Sequence, residues 1–241
     1  MIWIGTSGFQ YPEWKGTFYP GDLAVKKMLG YYAAHFPTTE INYSFYRIPS
    51  VKTLSNWSVE TPGSFRFTLK APQEITHRRK LQDCDDVLTL FWEAAGTLNE
   101  KLGIVLFQLP PFLKKDLPLL KDFLASLPHS MKCAFEFRHE SWFGNELFAA
   151  LRAKNAALCI ADSEKLKTPV VATADHGYFR LRDEGYTKKD IERWAEVISA
   201  QKKNAKDVYV YFKHEESGVG PKFAEQLMKI LGPDAATSDA L

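Results

Sequence analysis

The sequence predicts an α/β chain folded as a single (β/α)8 barrel with parallel strands, and three observations carry the expectation. Eight strand-length runs recur along 241 residues, nearly all separated by segments long enough for a helix. Some of these runs, such as Gly103 to Leu109, are apolar without alternation, as strands covered on both faces are. An open doubly wound sheet would ordinarily carry a Gly-rich phosphate loop, and neither G-x-G-x-x-G nor a Walker sequence occurs.

The elements follow in order. Ile2 to Gly5 reads as the first strand, and Thr6-Ser7-Gly8 after it are small residues able to bring backbone N–H groups close to a ligand. Ala24 to Phe36 is amphipathic at helical spacing and stops before Pro37. Thr39 to Asn42 is the second strand, with Glu40 and Asn42 on one face. Ser50 caps a helix from Val51 to Thr61, which Pro62-Gly63 ends. Phe65 to Lys70 alternates strictly, with Arg66, Thr68 and Lys70 sharing a face. A loop from Pro72 to Gln82 carries His77-Arg78-Arg79, and a long helix spans Asp83 to Glu100. The fourth strand ends at Pro110-Pro111, and a helix from Leu117 to Leu127 leads to the fifth.

That fifth strand is the most informative stretch. From Lys132 its residues alternate, with Cys133, Phe135 and Phe137 on one side and Ala134, Glu136 and Arg138 on the other. A carboxylate among apolar neighbours is costly unless paired, and Arg138 is the nearest partner in sequence. His139-Glu140-Ser141-Trp142 follow where the strand must end. A helix from Asn145 to Lys154 leads to the sixth run, Ala157 to Ala161, closed by Asp162. No convincing helix appears between Ser163 and Gly177, so the sixth helix is expected to be short or missing. Tyr178 to Arg182 is the seventh strand, Lys188 to Lys203 a helix capped by Thr187, and Asp207 to Phe212 the eighth strand. Lys222 to Leu231 is the last helix. One domain, residues 1–231, and a flexible tail, 232–241, are expected.

The formal charge of +2 is too mild to imply nucleic acid by itself. Three scattered cysteines without a C-x-x-C pair suggest neither a disulfide framework nor a zinc site, and fit a reducing cytoplasm. No apolar run reaches the roughly 18 residues of a membrane span, and Met1 leads straight into Ile2-Trp3-Ile4-Gly5. Neither secretion nor membrane insertion is expected.

Several phrases occur together and in order: I-G-T-S-G-F from Ile4, E-I-N-Y-S-F-Y-R-I-P from Glu40, I-T-H from Ile75, L-F-Q-L-P-P from Leu106 and F-E-F-R-H-E-S-W from Phe135. With these the chain resembles the YecE-like family of unknown function, whose members are TIM barrels. The resemblance implies the TIM-barrel fold and no reaction. Two segments depart from the family's pattern: Arg182-Asp183, where members often carry His-Gly, and Lys213-His214, where they tend to carry Asp-Asn.

In a barrel, the polar positions of these strands face the axis, and strand ends form the carboxyl mouth where such folds keep their chemistry. Glu40, Asn42, Arg66, Thr68, Lys70, Glu136, Arg138, Arg180, Arg182, Tyr209, Tyr211 and Lys213 are then inward. This lining holds an excess of cations, which points to an anionic ligand, a phosphate or carboxylate compound or a nucleic-acid fragment. Some of the ions pair internally in the alternative reading, Glu40 with Arg66 or Glu136 with Arg180, and Arg66, deeper than the rest, reads as structural.

Glu136, His77 and His139 are the proton-transfer candidates. Lys70, Arg138, Arg180, Lys213, Glu40, Asn42, Tyr46, Gln108, Trp142, Asp162, Thr6 and Ser7 are the binding candidates, with Trp14, Tyr46 and Trp142 as stacking platforms. No cofactor is required; a divalent metal on Glu136, His139, Asp162 and His214 is conceivable, without H-x-x-H spacing to support it. The leading expectation is a hydrolase acting on an anionic substrate, phosphate-containing or nucleic-acid-derived, at the mouth. A non-catalytic nucleic-acid-binding module and a glycosidase using Glu40 and Glu136 are the alternatives.

Overall fold

The structure is a computed structural model, described for residues 1–162, 166–183, 185–214 and 218–238. Eight parallel strands close a barrel in sequence order: β1 (Ile2–Ser7), β2 (Thr38–Ile41), β3 (Arg66–Lys70), β4 (Leu102–Gln108), β5 (Cys133–Glu136), β6 (Ala157–Asp162), β7 (His176–Leu181) and β8 (Asp207–Phe212), with β8 pairing back on β1. Helices α1 (Met28–Ala33), α2 (Tyr43–Tyr46), α3 (Val51–Val59), α4 (Asp85–Gly96), α5 (Leu117–Ser126), α6 (Asn145–Lys154), α7 (Lys188–Lys202) and α8 (Val219–Leu231) fill the crossovers. Among the described residues no helix stands between β6 and β7, where the sequence shows no convincing helix.

Period-two alternation sorts each strand's side chains. Phe67, Leu69, Phe107, Phe135, Phe179, Val208 and Val210 join the apolar layer beneath the helices, while Ile104, Leu106, Ala134, Ala157, Cys159, Tyr178, Tyr209 and Tyr211 fill the barrel itself. The small residues on β5 and β6 leave room inside for large ones from β7 and β8. Gly5 is required by closeness: a Cβ there would lie 2.0 Å from the Thr38 carbonyl oxygen.

Four local departures from the sequence reading have physical causes. The predicted Ala24 to Phe36 helix begins as a tight turn over Val25–Lys27, and neither N-terminus has a capping side chain. The expected loop after β3 contains a wide helical turn, Glu74–Arg78, in which Arg79 N–H reaches back to the Glu74 carbonyl. Helix α8 starts at Val219 because Pro221 is tolerated in a first turn, and Gly218 enters it at φ +67°. The segment expected to fray from Gly232 is instead held as far as Ser238. Ala235 pairs with Ile2, Ala236 N–H donates to the Ile2 carbonyl at 2.7 Å, and the Ser238 hydroxyl bonds the Ala33 carbonyl. Residues 239–241 of that expectation lie outside the described residues.

Candidate functional site

The carboxyl ends of the strands carry a charged layer with a floor and a rim. On the floor Arg180, from β7, lies between Glu40 of β2 and Glu136 of β5, all three without solvent exposure. Its Nε and Nη2 donate to the Glu40 carboxylate at 2.9 and 2.7 Å, and its Nη1 donates to Glu136 at 2.6 Å. Glu40 also accepts hydrogen bonds from Ser7 Oγ and from Tyr178 OH, and Gln108 Nε2 donates to Glu136 at 2.8 Å. Asn42 Nδ2 supports Ser7 from above at 2.9 Å.

Burial raises the Glu136 pKa, but the Arg180 and Arg182 charges and the Gln108 hydrogen bond outweigh it and hold the carboxyl down at about 2. Glu40 is lowered in the same way, burial being overcome by Arg180, Ser7 and Tyr178. Both carboxylates stay ionised, which suits ion pairing and not proton delivery.

The rim is less balanced. Lys70 ends β3 with 8 % exposure, and its ammonium has no hydrogen bond or ion pair with any described residue; its nearest partner is the Phe45 ring, 4.1 Å from Nζ to centroid. Local structure explains the contact. The Ser44 hydroxyl, on the single-turn helix α2, bonds the carbonyls of Ile41 and Lys70 at 3.0 and 2.7 Å and so lays the neighbouring Phe45 against the end of β3. Burial first, then the charges of Arg180 and Lys213, lower the Lys70 pKa to about 8.

His77 packs edge-on against the same Phe45, 4.9 Å between ring centroids, and shares a 2.9 Å hydrogen bond through Nδ1 with Thr76 Oγ1. Its Nε2 has no hydrogen-bond partner among the described residues. Burial, then Lys70 and Arg138, depress its pKa, so the ring is neutral at neutral pH. The wide turn 74–78 delivers it there, anchored by buried Ile75 and Thr76 and followed by left-handed backbone at Lys80, Leu81 and Asp83.

Arg138 and Arg182 complete the arc. Arg138 Nε is 4.0 Å and Arg182 Nη2 3.6 Å from Glu136 Oε1, a buried oxygen that accepts no hydrogen bond from the described residues. Arg182 Nε likewise has no hydrogen-bond partner among them. Lys213, at the end of β8, lies half-buried close enough to influence Lys70.

Other expected site residues are placed elsewhere. The nearest cation in sequence, Arg138, is not the main partner of Glu136; Arg180 is. Thr6 faces outward and hydrogen-bonds Tyr32 of α1, because it alternates with Ser7. Asp162 points away from the axis and accepts from Tyr186 OH at 3.1 Å. His139 caps the turn Glu140–Trp142 through Ser141. Trp142 and Trp14 are buried at 1 % and 0 %, so neither offers a stacking face, and Trp142 Nε1 donates to the Leu113 carbonyl. Tyr46 is 72 % exposed beside Phe45. Arg66 sits at the opposite end of the barrel, its guanidinium bound to the carbonyls of Gly63, Ser64 and Phe65 and stacked over Trp3. Among the described residues no three His, Cys, Asp or Glu side chains gather as a metal site, so Glu136, His139, Asp162 and His214 do not assemble one.

Sequence reasoning missed two members of this arrangement. Phe45 sits in a helix too short to show periodicity, and Arg182, which the R-L-R alternation places on the inward lining with Arg180, is not singled out by sequence as a binding residue. At the departures from the family's pattern, a His214 ring nitrogen meets the Asp183 carbonyl at 2.7 Å, so the two changed segments touch, and each adds a cation beside the mouth.

Residues 3–240 match the family described as "Protein of unknown function DUF72". The chain is similar to the UPF0759 protein YunF of Bacillus subtilis, at 27 % identity over 96 % of this chain and 95 % of that one. It is 34 % identical to the UPF0759 protein YecE of Escherichia coli K12 over 59 % of this chain and 50 % of that one. Among solved structures, a DUF72 family protein of Thermotoga maritima superimposes with a TM-score of 0.85 at 28 % identity, covering 96 % and 99 % of the two chains. A DUF72 family protein of Enterococcus faecalis follows the same fold with a TM-score of 0.82 at 21 % identity over 96 % and 95 %. Among the described residues no helix is long and apolar enough to cross a membrane.

Proposed function

The chain belongs to the DUF72 family, and on that premise we propose that the carboxyl mouth of its barrel binds a small anionic compound and hydrolyses it, a phosphate ester being the substrate class. One observation carries the reading: Lys70 is a nearly buried ammonium without a counter-ion among the described residues, set among further cations. A charge so placed is costly for the protein by itself, and an incoming phosphate oxygen offsets that cost with a charge-assisted hydrogen bond. Arg138 and Arg182 supply guanidinium forks beside it, already weakly drawn to Glu136, and Lys213 adds a fourth cation.

His77 takes the proton-transfer role in this reading. In the tautomer whose Nδ1–H donates to Thr76, which this role requires, Nε2 of the neutral ring accepts a proton from water attacking the bound ester. Glu136 does not fill that role, because its carboxyl is held ionised by Arg180. The same pairing weighs against a glycosidase using Glu40 and Glu136, where one carboxyl must carry a proton to the leaving group.

The test is a thermal-shift titration of metal-free protein with inorganic phosphate at low salt, followed by release of p-nitrophenol from bis-p-nitrophenyl phosphate. Phosphate is expected to raise the melting temperature, and Lys70→Ala to abolish the response. His77→Gln is expected to lower turnover by roughly 10²-fold or more without loss of phosphate binding. No phosphate response in the wild type refutes the reading.

Exposed Tyr43 and Tyr46, 49 % and 72 % accessible next to the rim, favour a second reading as a nucleic-acid-binding surface. It predicts oligonucleotide affinity that falls steeply with salt and survives His77→Gln.

A further inference from the structure

We propose that the Lys70 side chain is a carbonyl-capturing nucleophile, forming an imine with a small aldehyde or ketone whose carboxylate or phosphate group is held by Arg138, Arg182 and Lys213. The inference rests on the anion-binding reading for the seat of the anionic group, and is independent of the hydrolysis.

Two other part-buried lysines of this chain show what a structural lysine does. Lys101 Nζ donates to the carbonyls of Ser58 and Thr61 and to Thr61 Oγ1, and Lys154 Nζ donates to the Leu127 carbonyl at 2.6 Å. Lys70 lies deeper, at the carboxyl end of a barrel strand, and among the described residues its ammonium meets an aromatic face in place of any hydrogen-bond acceptor. The charged groups around it come from several elements: Glu40 on β2, Glu136 on β5, Arg180 on β7, Lys213 after β8, and His77 on the turn after β3. Glu40 and Glu136 are engaged by Arg180, so among the described residues no carboxylate is in contact with the ammonium.

Burial and the neighbouring cations bring its pKa to about 8. Roughly a tenth of the side chain is then free amine at pH 7, against less than a thousandth for an ordinary lysine. This is the desolvated, cation-flanked setting that activates an amine toward carbonyl carbon.

The step balances without an oxidant or reductant. The Nζ lone pair forms a C–N bond to the carbonyl carbon as the carbonyl oxygen takes up a proton. The resulting carbinolamine expels that oxygen as water, which carries away the two amine hydrogens, and a C=N bond remains. His77, packed on the other partner of Lys70, Phe45, is the neutral group placed to shuttle these protons. Once protonated, the imine draws electrons from an adjacent C–H bond, so a proton on the neighbouring carbon becomes removable.

The test is reductive trapping. The protein at pH 7.5 is treated with sodium borohydride and either pyruvate or dihydroxyacetone phosphate, with acetone and dihydroxyacetone as uncharged counterparts, and adducts are mapped by peptide mass. A single adduct at Lys70 is expected, at least tenfold more abundant with an anionic probe than with its neutral counterpart. Inorganic phosphate should suppress it and Lys70→Arg should abolish it. Arg138→Ala should cut labelling by the anionic probes and spare the neutral ones.

Absence of an adduct at Lys70, or adducts spread over exposed lysines at equal level in Lys70→Arg, overturns the proposal. If phosphate still raises the melting temperature in that case, the anion site stands and only the imine falls. If phosphate does nothing and no adduct forms, both fall. Circular dichroism of Lys70→Arg and Lys70→Met separates loss of the nucleophile from loss of the fold.

Discussion

The floor and the rim of the barrel mouth use the same residue types and treat them oppositely. On the floor Arg180 meets both Glu40 and Glu136 at hydrogen-bond distance, wholly inside the protein, and of the two carboxylates only Glu136 Oε1 lacks a hydrogen bond among the described residues. On the rim, among the described residues, Lys70 faces a phenyl ring, Arg182 Nε has no acceptor, and Arg138 approaches Glu136 only to 4.0 Å. Burial alone therefore does not separate structural from functional charge; compensation does. A satisfied buried ion holds strands in register, whereas an unsatisfied one is a cost that the fold retains for a ligand.

The difference predicts opposite responses to removing a cation. Arg180→Met is expected to strand two buried carboxylates and destabilise the protein by about 3–5 kcal/mol, a fall in melting temperature on the order of 10 °C in a chain of this size. An Arg180→Met protein as stable as wild type would mean that the floor carries no structural load.

Acid sharpens the same point. The Glu136 carboxyl is held below its ordinary value of 4.5, at about 2, and Glu40 is lowered as well. Their contribution to stability is complete above the unfolded value and is lost as pH falls from about 4.5 toward 2. Denaturant titrations across that window should show stability declining, with a shallower decline in Glu136→Gln.

On the rim the sign reverses. Lys70→Met replaces an ammonium that has no ion pair among the described residues with an apolar chain of similar length against Phe45, and is expected to stabilise the protein by about 0.5–2 kcal/mol. Because the folded Lys70 value, about 8, lies below the ordinary 10.5, the cost of its charge is fully present below pH 8 and fades as pH rises toward 10.5. The stability gap between Lys70→Met and wild type should therefore narrow over that range. The smallest effect is expected at His139: His139→Ala, which removes only the cap of a three-residue turn, should change stability by about 0.5–1 kcal/mol and leave phosphate binding unaltered.

Much of this was legible before any coordinates. Alternation placed Glu40, Glu136, Lys70 and Arg180 on inner faces, and strand ends made Lys70 and Arg138 stand out as ligand-binding candidates. The sequence suggested Glu136 with Arg180 but Glu40 with Arg66, whereas Arg180 pairs with both carboxylates, because partners on β2, β5 and β7 are set by the stagger of the closed barrel and not by sequence spacing. Arg66 shared a face with Lys70 in the sequence, yet four residues of rise put it at the other end of the barrel, so a tally of inward cations overstated the charge at the mouth. Trp14 and Trp142 looked like mouth aromatics because they lie in loops; loops of this barrel fold back and use them as core. The turn that presents His77 has too few residues for any periodic signal.

The division between a closed floor and an open rim is tested most directly by phosphate titration of wild type and Lys70→Met by differential scanning calorimetry at low salt. The account predicts that Lys70→Met melts higher than wild type in buffer and gains nothing from phosphate, while wild type rises with phosphate concentration. A Lys70→Met protein that melts lower than wild type and responds equally to phosphate would contradict it, making Lys70 another structural ion.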